Sequence, residues 1–274
     1  MSDSRGALER VYLPFVYLSC VKRPGARYLW RSVIQEDYVF WVLATLAGAV
    51  ALGPHVLGLA FLLVSFWAIY ETGYVDNDRI AERYEEAPQL SERYNGHRVP
   101  TPTVMPWVWA VATGYAGLAA IYLSWLPPAG AVLGWFAVLV ATFGCFRLFN
   151  RIDKRSRIWP FALLQFCRTS SVGVVAAISP IGVAGLGAHL VALWVPYLFY
   201  RYNGGDGWRN LPIASMRLLF FLLLGLLILA ASGPDGIHWE IAGAFLAWNL
   251  FRARSELPRL LRQAERLDRT PSGR

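Results

Sequence analysis

Charged residues are scarce in this chain of 274 residues, since Asp, Glu, Lys and Arg together make up only 16% of it. Hydrophobic residues make up 56%, and the mean hydropathy is +0.39. A water-soluble domain of this size needs more charge to cover its surface. The net charge of +8 does not indicate nucleic acid as a partner, because the basic residues lie between long apolar runs. The composition therefore predicts an all-α membrane protein with lipid around it.

Cysteine and histidine are also rare, and their positions argue against a Cys- or His-based metal site or nucleophile. The cysteines Cys20, Cys145 and Cys167 have no spacing typical of a metal site or a disulfide framework, so we expect buried small hydrophobic residues. The four histidines are scattered and form no metal pair. No Ser-His-Asp or Cys-His nucleophile pattern is present. The first thirty residues lack an apolar core followed by a small-residue cleavage site, so no cleavable signal peptide is expected.

Long apolar segments account for most of the chain. A spanning helix needs about 20 mostly apolar residues, and backbone groups in hydrocarbon must be bonded internally. About eight such segments predict a polytopic transmembrane helical bundle at 37–252, preceded by a cytoplasmic or interfacial segment at 1–36 and followed by a basic cytoplasmic tail at 253–274. The predicted spans are 37–53, 55–74, 103–124, 129–149, 159–178, 181–200, 212–231 and 237–252.

Lys and Arg are absent from every second connection between these spans. The breaks at 53–55, 127–130, 179–180 and 232–236 contain none, whereas the alternate loops and both ends of the chain are rich in them. Basic residues in short loops mark the cytoplasmic side of a membrane protein. The pattern predicts a protein integral to the cell (inner) membrane, with both termini in the cytoplasm.

The richest polar patch begins at Glu71, inside the second predicted span. If the helix continues, Asp78, Glu82 and Glu86 lie on one face, since they are four residues apart. Such a stack of carboxylates is neutralised by a cation such as Mg²⁺, which binds oxygen ligands and substrate phosphates. The alternative is a solvated helix end neutralised by neighbouring arginines. Carboxylates at the membrane boundary are costly, which favours a functional role.

Two further inner loops carry polar side chains. The loop after the fourth span combines one asparagine and one aspartate with five cations, a set suited either to clamping a phosphate or pyrophosphate or to anchoring lipid headgroups. These residues are Asn150, Asp153, Arg147, Arg151, Lys154, Arg155 and Arg157. Arg168 lies one or two turns inside the fifth span, where it either faces the bundle interior or extends to the interface.

The loop after the sixth span contains Asn203 and Asp206. Their oxygen atoms are candidates for a second set of metal ligands, opposite the acidic patch. The alternative is an ordinary turn, because Asn-Gly and Asp-Gly pairs are common turn formers.

The order of these loops resembles that of the UbiA superfamily of intramembrane prenyltransferases, over roughly residues 20–250. Members are helical bundles with one acidic motif after the second span and another after the sixth. Asn77-Asp78 matches the start of the first motif, Asn-Asp-x-x-Asp-x-x-x-Asp, and the later acids follow after a one-residue slip and an Asp-to-Glu change. The other similar positions are Arg23-Pro24, Lys154-Arg155 ahead of Trp159-Pro160, and the reduced second motif at Asn203 and Asp206.

The resemblance implies an enzyme, a Mg²⁺-dependent transferase that moves a prenyl group from a polyprenyl pyrophosphate to an acceptor. Related members transfer phosphoribose or another sugar to a polyprenyl phosphate in lipid-linked sugar synthesis, and this alternative stays open. The implied metal ligands are Asn77, Asp78, Glu82 and Glu86, with Asn203 and Asp206 for a second ion. The implied catalytic residues are Asp78, Glu82 and Lys154, and the substrate-binding residues are Lys154, Arg155, Arg151, Asn150, Arg168, Tyr74 and Arg23.

Two other classes of function remain as alternatives. A transporter or flippase places its polar groups near the membrane midplane at broken helices. Polar groups at that depth are few here, and the outer side has almost no charge. A non-catalytic, lipid-binding relative of the family is the second alternative, because the acidic motifs are imperfect. Magnesium-dependent binding of pyrophosphate compounds, measured by calorimetry, distinguishes the enzyme from such a relative.

Overall fold

The computed structural model describes residues 12–85, 88, 90–94, 104–203 and 211–263, and these residues form helices and connecting turns without any strand. The prediction of an all-α protein is confirmed for them. Glu86 and Asp206 lie outside the described residues. The helices after the first are α2 (Leu52–Tyr84), α3 (Met105–Tyr122), α4 (Ala129–Arg151), α5 (Ile158–Ser170), α6 (Pro180–Tyr202), α7 (Ile213–Ser232), α8 (Trp239–Ala253) and α9 (Leu257–Gln263).

The first helix, α1, is continuous through four segments of different hydrogen bonding. These are α-helical Ala26–Tyr28, π-helical Leu29–Tyr38, α-helical Val39–Thr45 and 3-10 helical Leu46–Gly48. The helix therefore begins well before the predicted span 37–53 and ends before it. The polar first half is helical because its side chains form hydrogen bonds and ion pairs with arginines of α5, α7 and α8. Hydropathy along the sequence does not detect such contacts.

Within the described ranges, four helices are long and apolar enough to cross a membrane: α2, α4, α6 and α7. The most apolar is α7, with a mean hydropathy of 2.5, and only 17% of that stretch is buried inside the protein. Leu226 and Leu227 are 62% and 66% exposed. An apolar surface of this kind is typical of contact with lipid. The fold is thus compatible with a membrane protein, and the number of about eight spans stays a prediction.

The helices α2 and α3 make the most extensive contact in the bundle, and two glycines allow it. A Cβ atom at Gly58 would lie 2.6 Å from the backbone oxygen of Gly117, and one at Gly117 would lie 2.7 Å from the backbone oxygen of Gly58. The two backbones therefore touch without side chains between them, as small residues permit in membrane bundles.

Large aromatic side chains fill the centre of the bundle between α1, α2, α4 and α5. Trp41 of α1 is fully buried and packs edge-on against Phe66 of α2 and Trp135 of α4. Its indole Nε1 donates to the backbone oxygen of Thr169, 3.1 Å away at the end of α5. This contact satisfies a buried polar group and fixes α5 against α1.

Candidate functional site

The polar end of α2 has three faces, which contact the N-terminal segment, the cavity described below and α4. Glu71, Asp78 and Glu82 lie on one face of the helix, and Asn77 and Ala81 lie on an adjoining face, further round it. The first contacts the N-terminal segment, and the second lines a cavity. A third face packs against α4. This division decides what each acid of the predicted patch does.

Glu71 anchors the N-terminal segment to α2. Its carboxylate accepts hydrogen bonds from the backbone N–H groups of Leu18 (2.6 Å) and Phe15 (3.1 Å) and from the hydroxyl of Tyr12 (2.9 Å). The side chain is fully buried. A buried carboxylate needs this number of donors to be tolerated. Glu71 therefore holds the segment that carries the π-helix Leu18–Lys22 in place.

Asp78 is engaged by the same segment. The hydroxyl of Tyr17 donates to its Oδ2 at 2.7 Å, and Lys22 forms an ion pair with its Oδ1. Asp78 is 1% exposed. Burial, and then the hydrogen bond to Asp78, raise the pKa of Tyr17 far above its ordinary value, so the hydroxyl stays a donor. On the same face, Glu82 accepts from the hydroxyl of Tyr94 at 2.9 Å.

The cavity beside this face has a volume of about 830 Å³ and a strongly basic rim. Among the described residues that line it, the only carboxylate is Glu85, which pairs with Lys154 at 3.1 Å and with Arg157 at 3.4 Å. A concave surface lined by charges of one sign concentrates ions of the opposite sign. The cations of the rim are Lys22, Arg23, Lys154, Arg155, Arg157 and Arg201.

Aromatic side chains from α2, α4, α5 and α6 form the cavity wall. Tyr70 meets Phe146 edge-on, with ring centroids 4.7 Å apart, and Phe161 stacks on Tyr197 at 3.9 Å. Tyr197 also accepts a hydrogen bond from Arg201 at 2.8 Å. The cavity thus combines a rim that attracts anions with a wall suited to an apolar chain or a cation.

Five of the residues predicted from the sequence meet in this cavity: Arg23, Tyr74, Asn77, Lys154 and Arg155. Two others, Asn150 and Arg151, line a separate pocket behind it. Asn203 ends α6, where its backbone N–H donates to the backbone oxygen of Phe199.

Arg168, another predicted substrate-binding residue, lies deeper, in a buried ion pair with Asp37 of α1. Its Nε lies 2.9 Å from each carboxylate oxygen, and its Nη2 donates to the hydroxyl of Ser32 at 3.0 Å. His189 of α6 lies 3.5 Å from the same carboxylate. Of the two sequence-based interpretations, the one in which Arg168 faces the bundle interior is confirmed, and its partners there are protein groups.

A second buried network joins α1 to α7 and α8. Arg217 is 1% exposed, donates to Asn249 at 3.0 Å and pairs with Glu36 at 3.2 Å. Arg252 pairs with the same carboxylate at 2.7 Å. Charges inside a membrane bundle are costly unless they are paired. These contacts give the polar half of α1 a structural role that sequence analysis missed, because Glu36 precedes the apolar run.

Sequence analysis also missed Lys22 and Glu85 as site residues. The register of α2 gave a usable signal for Glu85, because Tyr74, Asn77, Ala81 and Glu85 continue one helical face. No comparable signal existed for Lys22, since its ion pair with Asp78 joins residues far apart in the chain.

No three His, Cys, Asp or Glu side chains form a group suited to a metal ion within the described part of the chain. The assignment of Asp78, Glu82 and Asn77 as magnesium ligands stays a prediction. Comparisons with family models, curated proteins and solved structures give no match. The functional argument therefore depends on the chemistry of the cavity.

Proposed function

We propose that this chain is an intramembrane transferase that binds a polyprenyl pyrophosphate in the cavity and transfers its prenyl group to an acceptor. The observation that carries the proposal is the joining of six cations with an aromatic wall in one space of about 830 Å³. The cavity lies where α2, α4 and α6, three of the candidate membrane-crossing helices, reach their C-terminal ends. An amphiphilic substrate suits this position, because its anionic head can contact the basic rim while its apolar tail contacts the aromatic wall.

The basic rim is suited to a pyrophosphate leaving group. Cleavage of an allylic pyrophosphate leaves negative charge on the departing oxygens, and fixed cations stabilise that charge in a site with little water. Arg155 and Arg23 have no carboxylate partner among the described residues, so both are available for the substrate. Lys154 and Arg157 share one carboxylate, that of Glu85.

The aromatic wall is suited to the prenyl group. Once the pyrophosphate departs, the allylic carbon is a cation, and the faces of Tyr70 and Tyr74 attract positive charge. The rings also exclude water, which would otherwise capture the cation in place of the acceptor. The same wall accommodates the apolar isoprene units.

Magnesium forms part of the proposal. Mg²⁺ is usually held by one or two carboxylates together with substrate phosphates and water. Of the predicted ligands, Asn77 lines the cavity, and Asp78, the next residue along the helix, is held in its pair with Lys22. Glu85, which was not among the predicted ligands, lines the cavity as well. A bound ion would add to the charge that the rim supplies to a leaving pyrophosphate.

The proposed setting is a UbiA-like bundle of about eight spans, with both termini and the cavity on the cytoplasmic side. The turn between α4 and α5, which is the most basic of the described loops, contributes Lys154, Arg155 and Arg157 to the rim. The placement of the cavity at this basic end agrees with the positive-inside rule.

A transfer assay with purified full-length protein tests the proposal. Labelled prenyl pyrophosphates are supplied with Mg²⁺ and a lipid extract as acceptor source, and phosphoribosyl pyrophosphate with polyprenyl phosphate is tested separately. We expect magnesium-dependent transfer of the prenyl label. Label that moves only from phosphoribosyl pyrophosphate would replace prenyl transfer by the sugar-transfer alternative, and no transfer from either donor would contradict the enzyme.

Matched variants of the basic loop locate the site. Arg155→Gln removes a cation from the cavity, and we expect prenyl pyrophosphate to bind about tenfold more weakly, because hydrogen bonds to charged groups contribute strongly. Arg151→Gln, four residues away, removes a cation that does not line the cavity. Equal loss in both variants would show that general positive charge, rather than this cavity, holds the substrate.

A further inference from the structure

A second pocket of about 630 Å³ lies beside the cavity, between the ends of α2 and α4 and the turn that follows α4. Ile80 and Tyr84 of α2 line this pocket and do not line the cavity. Glu85, Lys154 and Arg157 line both spaces. The two spaces therefore adjoin along this ion-paired group.

The second pocket carries more positive charge than its carboxylates neutralise. The Asp153 carboxylate is occupied within its own turn, where it accepts from the hydroxyl of Ser156 at 2.5 Å and from the backbone N–H of Arg155 at 2.8 Å. Arg151 has no ion-pair partner within the part of the chain that the structure describes. The pocket therefore attracts an anion. Its cations are Arg147, Arg151, Lys154 and Arg157.

The side chain of Asn150 presents a hydrogen-bond acceptor that is unpaired among the described residues and needs a donor from the ligand. This side chain is 3% exposed, and its Nδ2 donates to the backbone oxygen of Gly73 at 3.3 Å, which fixes the orientation of the amide. Its Oδ1 has no hydrogen-bond partner among the described residues. A buried acceptor without a donor is costly. A ligand of this pocket satisfies Asn150 only if it brings a hydroxyl or another donor.

We propose that the second pocket binds a phosphorylated polyol. The phosphate contacts the guanidinium groups of Arg147, Arg151 and Arg157 and the ammonium group of Lys154, and a hydroxyl of the polyol donates to Asn150 Oδ1. Three of the four cations are arginines, and a guanidinium group can bind two oxygens of one phosphate at once. The apolar side of Ile80 and the ring of Tyr84 complete the wall toward the ends of the candidate spans.

The chemistry is shared by a free sugar or glycerol phosphate and by the headgroup of a phosphoglycerol lipid. The inference does not depend on the proposed transferase activity, because it is tested by binding alone. Failure of prenyl transfer would leave it standing, and its own failure would leave the cavity and its substrate unaffected.

Calorimetry on the full-length protein in phosphatidylcholine nanodiscs compares three probes: glycerol 3-phosphate, inorganic phosphate and glycerol. We expect glycerol 3-phosphate to bind about tenfold more tightly than inorganic phosphate, since its phosphate can stay on the cations while a separate hydroxyl of the glycerol donates to Asn150, whereas the P–OH of inorganic phosphate belongs to the group that the cations hold. In a parallel arm, native mass spectrometry measures retention of phosphatidylglycerol against phosphatidic acid, which lacks the free hydroxyls. Preferential retention of phosphatidylglycerol would identify a lipid headgroup as the source.

Variants assign the binding to this pocket. Arg151→Gln should weaken all phosphate-bearing probes about tenfold, whereas Asn150→Leu should weaken only those with hydroxyls. Arg155→Gln, which alters only the neighbouring cavity, is the control. If Asn150→Leu does not fold, the comparison of glycerol 3-phosphate with phosphate in the unaltered chain still decides. Equal affinity for these two probes together with equal retention of the two lipids, or an equal effect of Arg155→Gln, would overturn the proposal.

Discussion

Arg168 and Asp37 form an ion pair in the interior of the bundle, with the guanidinium Nε 2.9 Å from both carboxylate oxygens. Asp37 is 0% exposed and Arg168 is 3% exposed. The guanidinium also lies 5.2 Å from the ring centroid of Trp67, on α2. Through this one side chain α5 is joined to α1 and α2, so the pair fixes α2 and α5, two of the four helices that carry the aromatic wall of the cavity.

The first prediction concerns this pair. Asp37→Asn leaves a buried guanidinium without its carboxylate, and we expect a loss of about 3–5 kcal/mol in the free energy of unfolding. Asp76→Asn is the control, because Asp76 pairs at 3.7 Å with an exposed Arg147 and such pairs contribute about 0–1 kcal/mol. Thermal unfolding in a mild detergent measures both. Similar losses in the two variants would mean that the buried pair contributes no more to the free energy of unfolding than the exposed pair does.

The same pair predicts a partial rescue. Replacement of both partners by apolar side chains, as in the double variant Asp37→Leu with Arg168→Met, removes the unpaired charge that either single change leaves behind. We expect the double variant to unfold at a higher temperature than Asp37→Asn. Additive losses would contradict the assignment of the cost to an uncompensated charge.

The second prediction concerns the contact of α2 with α3. Gly58→Ala places a Cβ 2.6 Å from the backbone oxygen of Gly117, so the helices must separate, at a cost of about 1–3 kcal/mol. Gly144→Ala is the matched control in α4, since a Cβ there meets no atom within 4 Å. Alanine favours helix over glycine, so Gly144→Ala should be neutral or stabilising. Unfolding temperatures that fall equally in both variants would argue against this close approach.

The third prediction concerns Glu71 as the anchor of the N-terminal segment. Glu71→Gln places an NH₂ group among three donors, which weakens their hold on the segment. We expect the backbone amide of Leu18 to exchange with deuterium at least about tenfold faster, since local opening then costs less free energy. Glu82→Gln is the control, because Glu82 bonds Tyr94 and not this segment. Unchanged exchange at Leu18 in Glu71→Gln would refute the anchoring role.

The fourth prediction tests whether Asp78 binds magnesium. Lys22 occupies one of its oxygens, so a metal ion competes with the ammonium group for that carboxylate. In Lys22→Gln we expect half-saturation at a lower Mg²⁺ concentration, when transfer is measured at saturating prenyl pyrophosphate. Asp78→Asn should abolish the magnesium response. An unchanged half-saturating concentration together with an active Asp78→Asn would assign Asp78 to the anchoring of the N-terminal segment alone.

The positions of the helices followed largely from hydropathy. Each of the eight predicted segments contains a helix, and α4 and α7 agree with their predicted spans to within about two residues, the usual uncertainty of helix ends. Three helices differ from their predicted spans: α2 continues to Tyr84, α5 already ends at Ser170, and the start of α1 was predicted too late. Its first half is polar, and hydropathy registers only apolar residues, whereas Glu36 and Asp37 are helical because arginines of distant helices neutralise them.

The site was predicted in part. The basic turn after α4 was identified from its composition, and Lys154 and Arg155 indeed line the cavity beside Tyr74 and Asn77. The spacing of Asp78 and Glu82 correctly placed them on one face of α2, but the partner of that face was not predictable. Helical periodicity fixes which residues share a face and leaves open which neighbour packs against it.

By itself, the sequence determined that the chain is helical, that four or more of its helices suit a membrane, and where its basic loops lie, because composition and periodicity are local properties of the chain. Only the tertiary structure decided that Lys22 pairs with Asp78, that Arg168 pairs with Asp37, and that six cations surround an aromatic wall. Those contacts join residues far apart in the chain, and only the packing of the helices brings such groups within hydrogen-bonding distance.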